Sequence, residues 1–347
     1  MINTSWVLSG TEEFRLESAA MDPVPKGWVR IRTAYCGICG SDLHSYRGRH
    51  PMVRPPIVLG HEFSGVVVEI GEGCSPALVG QKVVASPSIP CGQCYQCTHD
   101  QEHICENLMV IGNIGVPGAL AEYMDVPFNR VLEIPDSLSL SSAALVEPTA
   151  VAVHALRKVR VDGGVVVIGA GPIGLLTSLV AKAQGIHPVS IVDVRLDRLN
   201  VARQMGFNHV YDSRESGVIE EIRRVYPDGP GAVFDCVAIS DTLNMALRVA
   251  RKGSSIILEG VPEGPLTLDA VYIQDRELRI IGTLMYQIPD FQEAVRLIHD
   301  KAIPVNELIT RHVPFQDVPQ TFQQLSVGKS QDVKVLVAIL PESGGAR

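Results

Sequence analysis

A glycine-rich segment near the middle of the chain, Gly169-Ala-Gly171-Pro-Ile-Gly174, constrains the fold more than any other feature of the sequence. It follows an apolar run at residues 165–168 and precedes a helix-like stretch at residues 174–184. In such a strand–turn–helix unit the first glycine makes the turn, the second lets backbone approach a pyrophosphate, and the third lets the helix pack on the strand. The N–H groups at the start of the helix favour phosphate. The segment therefore predicts a dinucleotide-binding unit.

The chain on either side of this segment divides into regions of different pattern. From residue 24 to about 135, short strands are broken by glycine and proline, which is typical of a compact, mostly β domain, and we expect that domain to cover residues 1–150. Beyond it, strand-like runs alternate with helix-length segments, which indicates a doubly wound parallel sheet over 151–285 and an α/β fold class. Residues 286–347 look like a further unit that ends in a strand at 333–340 and a frayed tail at 342–347.

An acidic residue at the end of the next strand supports dinucleotide binding. Asp193 is suited to accept hydrogen bonds from a ribose diol and would repel a 2′-phosphate, so we expect NAD rather than NADP. Arg195 and Arg198 weigh against that choice, because a nearby arginine can hold the extra phosphate. The expected cofactor-binding residues are Gly169, Gly171, Pro172, Ile173, Gly174, Asp193 and Arg198.

Four of the eight cysteines form a cluster with the spacing C-x2-C-x2-C-x7-C. Its members are Cys91, Cys94, Cys97 and Cys105. Four thiolates can close a tetrahedral shell around Zn²⁺ and leave no position for chemistry, so we expect a structural zinc in a lobe at about 88–108. Disulfides, or an iron–sulfur cluster, are the alternatives that this spacing leaves open.

A second set of metal-ligating residues lies earlier in the chain. Cys39, His61 and Glu62 offer a thiolate, an imidazole and a carboxylate, and three protein ligands leave a fourth position for a substrate oxygen. Ser41 could take the proton of an alcohol, and His44 could carry it to solvent. Cys36, three residues before Cys39, is better interpreted as a buried core residue than as a ligand.

Charge and hydropathy exclude several classes of partner. The formal net charge is −8 and no run of five basic residues occurs, so nucleic acid and anionic membranes are poor partners. No apolar stretch approaches the ~20 residues that a bilayer requires, and no secretory leader is recognisable. We therefore expect a cytoplasmic protein whose partner is a small molecule.

Taken together, these motifs resemble the zinc-dependent medium-chain dehydrogenase/reductase family, and its sorbitol and threonine dehydrogenase branch in particular. The segments that carry the resemblance, in this order, are Ile38-Cys39-Gly40-Ser41-Asp42, Gly60-His61-Glu62-Phe63-Ser64-Gly65, the four-cysteine lobe, Val146-Glu147-Pro148 and Gly169-Ala-Gly-Pro-Ile-Gly174.

The resemblance implies a fold, a metal site and an assembly. It implies a mainly β GroES-like catalytic domain beside a Rossmann-type nucleotide domain, with residues 286–347 returning to the catalytic domain. It implies a catalytic zinc on Cys39, His61 and Glu62, with Glu147 a nearby ligand or a water-mediated partner, and hence two zinc ions per chain. A homodimer or homotetramer is also implied, with an edge strand at 277–282 extending the sheet across a dimer.

The implied activity is the reversible, NAD-dependent oxidation of a secondary alcohol to a ketone. A polyol, sugar alcohol or cyclitol is the favoured substrate, and L-threonine or a small diol of the butanediol type is the alternative. A binding protein without turnover is a third reading, which the intact metal-site residues disfavour. Sorbitol itself is disfavoured, because Ser45 replaces an aromatic residue of the sorbitol enzymes and residues 282–286 lack their arginine. Tyr46 and Arg47 are either substitute substrate contacts or surface residues.

Overall fold

The computed structural model describes residues 1–328 and 330–340, and these residues form two compact units. Unit 1 consists of Met1–Glu147 together with the chain from Gln287 onward, and unit 2 is Pro148–Tyr286. The sequence places the boundaries at 150/151 and 285/286, whereas the chain divides at 147/148 and 286/287. The first boundary falls inside a helix, where composition does not change. The expected frayed tail at 342–347 lies outside the described residues.

The strands of the described residues are, in chain order, β1 (Ile2–Gly10), β2 (Glu13–Ala20), β3 (Trp28–Gly37), β4 (Ile57–Val58), β5 (Glu62–Ile70), β6 (Lys82–Ala85), β7 (Ser88–Ile89), β8 (Met109–Ile111), β9 (Gly115–Val116), β10 (Tyr123–Pro127), β11 (Val131–Glu133), β12 (Val165–Ile168), β13 (Val189–Asp193), β14 (His209–Asp212), β15 (Ala232–Asp235), β16 (Ser255–Leu258), β17 (Arg279–Gly282), β18 (Ile309–Pro314) and β19 (Lys334–Ala338).

The α-helices of the same residues are α1 (Gly40–Tyr46), α2 (Leu140–Ala143), α3 (Val146–Arg157), α4 (Pro172–Ala183), α5 (Leu196–Gln204), α6 (Val218–Val225), α7 (Ser240–Val249), α8 (Ala270–Asp275), α9 (Ile288–His299) and α10 (Val318–Ser326). Short 3₁₀ turns occur at Pro76–Leu78, Cys97–His99, Glu102–Ile104, Phe128–Arg130, Val305–Glu307 and Phe315–Asp317. No helix of the described residues is both long enough and apolar enough to cross a membrane.

Unit 1 is built on a mixed sheet in the order β11-β6-β5-β3-β19-β18, with β10 also paired to β3. The central strand β3 is buried along most of its length, because β5 pairs along one edge while β10 covers residues 28–32 and β19 covers residues 35–37 of the other edge. Val337 of β19 pairs with Cys36 of β3, so the two ends of the chain meet in one sheet. Cys36 is fully buried in the core of this unit, as expected.

Unit 2 is a sheet of six strands in the order β14-β13-β12-β15-β16-β17, and every pairing is parallel. The four valine and isoleucine residues of β12 are at most 2% exposed, as expected for a central strand covered on both faces. From β12 the chain adds strands toward one edge, through β13 to β14, and from β15 it adds them toward the other edge, through β16 to β17. The boundary between β12 and β15 is therefore the topological switch point, where dinucleotide-binding sheets hold their ligand. The predicted fold class is confirmed, with a mainly β unit and a doubly wound parallel sheet.

Candidate active site

The pairing of β3 with β5 brings the first set of metal-ligating residues together. Gly37 at the end of β3 pairs with Glu62 at the start of β5, so the segments that carry Cys39 and His61 lie side by side. The ligand atoms of Cys39, His61 and Glu62 all lie within 4.8 Å of one another. This spacing fits one metal ion bound by a sulfur, a nitrogen and an oxygen.

Gly60 makes the turn that delivers His61. Its φ of +100° lies in the left-handed region, and a Cβ there would lie 2.5 Å from the Cys36 sulfur. A side chain at position 60 would therefore be strained and would also collide with the core. The backbone geometry next to the imidazole depends on a glycine.

The His61 imidazole is buried and has an acidic partner. Its Nδ1 lies 3.4 Å from the Asp42 carboxylate. Burial lowers the pKa of His61, but the charge and hydrogen bond of Asp42, together with Cys39, outweigh burial and raise that pKa well above its ordinary value. A carboxylate beside a metal-ligating imidazole orients the ring and increases its basicity. Asp42 is thus suited to orient the His61 ring through Nδ1 while Nε2 remains available to a metal, a role that the sequence pattern did not indicate.

Glu62 has a lysine partner from the far end of the chain. Lys334 Nζ lies 2.8 and 2.7 Å from the two carboxylate oxygens, and both side chains are almost fully buried. Burial is the largest single influence and lowers the pKa of Lys334, but the charge and hydrogen bond of Glu62 and the charges of Cys39 and Glu147 together outweigh it and raise that pKa. The sequence holds one signal for this contact, which is a lysine within an otherwise apolar strand.

Glu147 is buried at the start of α3 and is not part of the group whose ligand atoms lie within 4.8 Å. Its charge contributes to the raised pKa of Lys334. Among the described residues, the structure thus groups three of the four expected catalytic-zinc ligands and leaves Glu147 acting on the lysine that pairs with one of them.

The two expected proton carriers lie on α1. Ser41 Oγ is 3.5 Å from His61 Nε2 in the first turn, and His44 follows one turn later on the same side of the helix. His50 is a further titratable group near this set, because burial and then His44, Asp42 and His61 shift its pKa, with a net lowering. No motif of the sequence points to His50.

Two residues that sequence analysis offered as substrate contacts have structural partners. Tyr46 is buried, and its ring lies 5.6 Å from those of both Phe14 and Phe322. Arg47 donates a hydrogen bond to the backbone carbonyl of Ser326. The expectation that Tyr46 is a surface residue is wrong, because the ring packs in a core that residues distant in sequence complete.

The four-cysteine lobe holds its sulfur atoms at the spacing of a single tetrahedral ion. All four ligand sulfurs lie within 4.8 Å of one another, and the Cys94 sulfur is 3.5 Å from that of Cys97 and 3.7 Å from that of Cys105. Zn–S bonds of about 2.3 Å place tetrahedral sulfurs about 3.8 Å apart, whereas a disulfide bond is only about 2.05 Å long. Backbone N–H groups of Cys97 and Glu106 lower the pKa of the Cys94 thiol to about 6, whereas burial and then Cys94 raise the pKa of the Cys97 thiol to about 12, so Cys94 carries the thiolate of this pair.

The glycine-rich segment of unit 2 forms a tight strand-to-helix turn. A Cβ on Gly174 would lie 1.8 Å from the carbonyl oxygen of Gly169, so only glycine allows this approach. Gly171 precedes α4, which begins with Pro172 and Ile173 and directs its first N–H groups toward the turn. This arrangement fits the phosphates of a dinucleotide.

Asp193 lies at the carboxyl end of β13 and is buried. Its carboxylate accepts hydrogen bonds from the backbone N–H groups of Ala170, at 2.6 Å, and Arg195, at 2.8 Å. The Arg195 side chain pairs with Asp197, and an Arg198 nitrogen lies 3.6 Å from a Cβ built on Gly171. The acid and Arg198 therefore border the glycine turn, as a nucleotide-binding site requires.

Comparison with known proteins agrees with this arrangement. Residues 25–136 match the alcohol dehydrogenase GroES-like domain, and residues 172–300 match the zinc-binding dehydrogenase domain. D-xylulose reductase A of Aspergillus oryzae is 32% identical, over 97% of this chain and 96% of the relative.

Two solved structures are similar to this chain over almost its whole length. The 2R,3R-butanediol dehydrogenase of Bacillus subtilis aligns with a TM-score of 0.88 at 27% identity, over 97% of this chain and 99% of its own. A zinc-binding dehydrogenase of Sinorhizobium meliloti bound to NADP aligns with a TM-score of 0.91 at 27% identity and the same coverage. The chain therefore belongs to the polyol dehydrogenase branch of the zinc-dependent medium-chain dehydrogenases, and it is an oxidoreductase that acts on an alcohol or polyol.

Proposed function

We propose that this enzyme interconverts a secondary alcohol of the polyol, sugar alcohol or cyclitol class and its ketone, with NAD as the cofactor. The observation that carries the proposal is the group formed by Cys39, His61 and Glu62, whose mixed sulfur, nitrogen and oxygen donors suit a catalytic rather than a structural zinc. The name of the Aspergillus oryzae relative, a D-xylulose reductase, supports a polyol as the substrate.

Each residue of the site has a proposed role in this reaction. Cys39, His61 and Glu62 would hold the zinc, with Glu147 an exchangeable or water-mediated partner, while Asp42 orients His61 and Lys334 balances the charge of Glu62. When bound, zinc supplies positive charge for the alcohol oxygen and the nicotinamide accepts a hydride. Ser41 would take the hydroxyl proton and His44 would pass it outward.

A second zinc ion per chain is proposed for Cys91, Cys94, Cys97 and Cys105. Because four sulfurs close the tetrahedron, this ion would stabilise the lobe and take no part in turnover. The expected metal content of the folded enzyme is therefore two zinc ions per chain.

The preference for NAD over NADP is proposed from the surroundings of Asp193. Two backbone N–H groups fix its carboxylate, and the Asp197 carboxylate pairs with the Arg195 guanidinium that could otherwise bind a 2′-phosphate. We expect a larger kcat/KM with NAD than with NADP. A preference for NADP would contradict this assignment and would direct attention to Arg198.

The substrate class is tested by a screen that follows NADH absorbance over C4 to C7 polyols, sugar acids, cyclitols, sugar phosphates, L-threonine and small diols. The proposal expects the largest kcat/KM among polyols, sugar alcohols or cyclitols. The similarity to a butanediol dehydrogenase favours a small diol as the second candidate, and a clear maximum for 2,3-butanediol would establish it instead.

The catalytic zinc site is tested by Cys39→Ser and His61→Ala. Each substitution removes one of three ligands, so we expect loss of measurable turnover with NADH binding retained. Zinc analysis of the purified variants is needed alongside the kinetics. Substantial activity in a variant that has lost one zinc ion per chain would contradict the assignment.

A homodimer or homotetramer is also proposed. Among the strands that the structure describes, β17 pairs only with β16 and forms one edge of the sheet of unit 2, so a second copy could extend the sheet there. Sedimentation should give a mass of two or four chains, and a monomer at micromolar concentration would exclude this assembly. The cytoplasmic location stays a prediction.

A further inference from the structure

Unit 2 contains a buried acidic cluster that the mechanism above does not use. The Thr177 hydroxyl donates to both carboxylate oxygens of Glu259, at 3.0 and 3.1 Å, and the Cys236 thiol donates to one of them at 3.2 Å. Thr177 is fully buried and Glu259 is only 8% exposed. The carboxyl group is thus held in a fixed place by two neutral donors from two other elements.

Among the described residues, no cation lies close enough to shift the pKa of this carboxyl group. Burial raises the pKa of Glu259 to about 7, and the only other groups that act on that pKa are Cys236 and Thr177. The Cys236 thiol has a pKa well above its ordinary value because of burial and the acids Glu259 and Asp235, and burial also raises the pKa of Asp235. An ionised Glu259 is therefore a buried charge without a counter-charge, which is costly unless a ligand supplies one.

The cluster lies at the switch point of the sheet. Ile168 of β12 pairs with Asp235 of β15, and Asp235 pairs with Leu258 of β16, so the three strands end at the same level. Cys236 and Glu259 are the first residues after β15 and β16. The Cys236 Cβ is 3.5 Å from a Cβ built on the first glycine of the turn.

The direction of a bound dinucleotide follows from Asp193. This acid follows β13, on one side of the glycine turn, and fits the ribose of the adenosine half. A pyrophosphate bound at the turn itself would leave the other half of the molecule to extend over the carboxyl ends of β15 and β16. That half carries the nicotinamide ring, which is cationic when oxidised and neutral when reduced.

We propose that Glu259 is the counter-charge for the oxidised nicotinamide ring, ionised when the cationic ring is bound and protonated when the neutral, reduced ring replaces it. On binding of NAD⁺ the O–H bond of the Glu259 carboxylic acid breaks, the electron pair stays on the carboxylate, and the proton leaves to solvent. The inference rests on the proposed function in one respect, which is that the enzyme binds a nicotinamide dinucleotide.

Thermodynamic linkage between proton binding at Glu259 and NAD⁺ binding determines whether the affinity for NAD⁺ rises or falls with pH. Because the folded enzyme without cofactor holds Glu259 protonated below about pH 7, NAD⁺ binding below that pH must displace a proton, and its affinity rises with pH. If only the ionised form binds NAD⁺, Kd falls by about 10-fold between pH 6 and pH 8. NADH, which carries no charge on the ring, should show no such gain.

The test measures Kd for NAD⁺ and for NADH from pH 5.5 to pH 8.5 in the zinc-loaded enzyme, by calorimetry in two buffers that differ in ionisation enthalpy, so that proton release is also counted. Glu259→Gln keeps the shape of the side chain but cannot ionise. We expect this variant to lose the Glu259-dependent part of the pH dependence and of the proton release, and to bind NADH as the wild type does. Glu220→Gln, at an exposed position of α6, is the matched control and should behave as the wild type.

A second variant keeps the inference testable if Glu259→Gln does not fold. Thr177→Val removes a donor that favours the ionised carboxylate, so the midpoint of the NAD⁺ pH profile should move to higher pH. Identical pH profiles and proton release in wild type and Glu259→Gln, or an unmoved midpoint in Thr177→Val, would overturn the inference while leaving the proposed function intact. A folded wild-type enzyme that binds neither nucleotide would overturn the proposed function, and the inference with it.

Discussion

Lys334 and Glu62 form a buried ion pair beside a set of metal ligands. Removing two such charges from water costs free energy of desolvation. The attraction between the two charges offsets this cost only while both partners are present. When a metal cation is bound beside Glu62, that cation also neutralises the carboxylate, so the charge of Lys334 contributes less. The pair is therefore expected to matter most for the metal-free protein.

Replacing Lys334 with methionine tests this at the scale of one residue. In metal-free protein, Lys334→Met leaves the Glu62 carboxylate unpaired, and we expect the free energy of unfolding to fall by about 3–5 kcal/mol. Zinc-loaded protein should lose less. Urea unfolding of both forms measures the difference.

An exposed lysine gives the control for this experiment. Lys26 pairs with Glu72 at 2.6 Å, but both side chains are about three-quarters exposed. Lys26→Met should change the free energy of unfolding by less than about 1 kcal/mol. Equal effects of the two substitutions would show that burial does not determine the strength of the Lys334 pair.

The same residues show how far sequence reasoning reaches. Cys39, His61 and Glu62 could be predicted as a group because their residue types and short spacing identify ligands. Lys334 could not, because it is 272 residues from Glu62 and only the pairing of β19 with β3 brings it near. The burial of Tyr46 could not be predicted for the same reason, since Phe322 of α10 helps to bury it.

At the scale of an element, the four-cysteine lobe depends on its metal. Within residues 88–108 the lobe has one two-residue strand and two short 3₁₀ turns, which bury little apolar surface. Cys97→Ser should remove about one zinc ion per chain and lower the Tm, because metal binding and folding are coupled. Cys74→Ser, outside the lobe, should retain both ions. Unchanged metal content in Cys97→Ser would contradict the structural-zinc assignment.

The turn before α4 gives a second prediction at this scale. Gly174→Ala would place a Cβ 1.8 Å from the Gly169 carbonyl oxygen and force the start of α4 away from β12. We expect a loss of about 1–3 kcal/mol in stability and weaker NADH binding, measured by thermal unfolding and by fluorescence titration. Gly264→Ala, where a Cβ would meet nothing within 4 Å, should change neither quantity. Wild-type NADH affinity in Gly174→Ala would refute the assigned role of the turn.

Helices and strands of unit 2 could be predicted closely from local pattern. The helix expected at 174–184 is found at Pro172–Ala183, because proline suits the first turn and the glycine before it ends the preceding loop. The strand expected at 277–282 begins two residues later, at Arg279. Periodicity shows that an element exists, but the residue at which it begins depends on side chains elsewhere in the fold.

At the scale of the molecule, unit 1 needs both ends of the chain. A chain truncated after Tyr286 would lose β18, β19 and Lys334, whereas unit 2 would keep every strand. Both tryptophans, Trp6 and Trp28, lie in unit 1, so their fluorescence reports on that unit. We expect a red-shifted, unfolded tryptophan emission with helical circular dichroism largely retained. Native-like tryptophan emission would show that unit 1 folds without its last strands.

The pairing of β19 with β3 also sets an order of events during synthesis. The partners Cys36 and Val337 are separated by about 300 residues, which at 5–20 residues per second leaves β3 without this neighbour for roughly 15–60 s. Unit 2 is contiguous in sequence and can fold on the ribosome before β19 has been synthesised to pair with β3. Until the chain is nearly complete, the edge of β3 at residues 35–37 is open to pairing with other nascent chains.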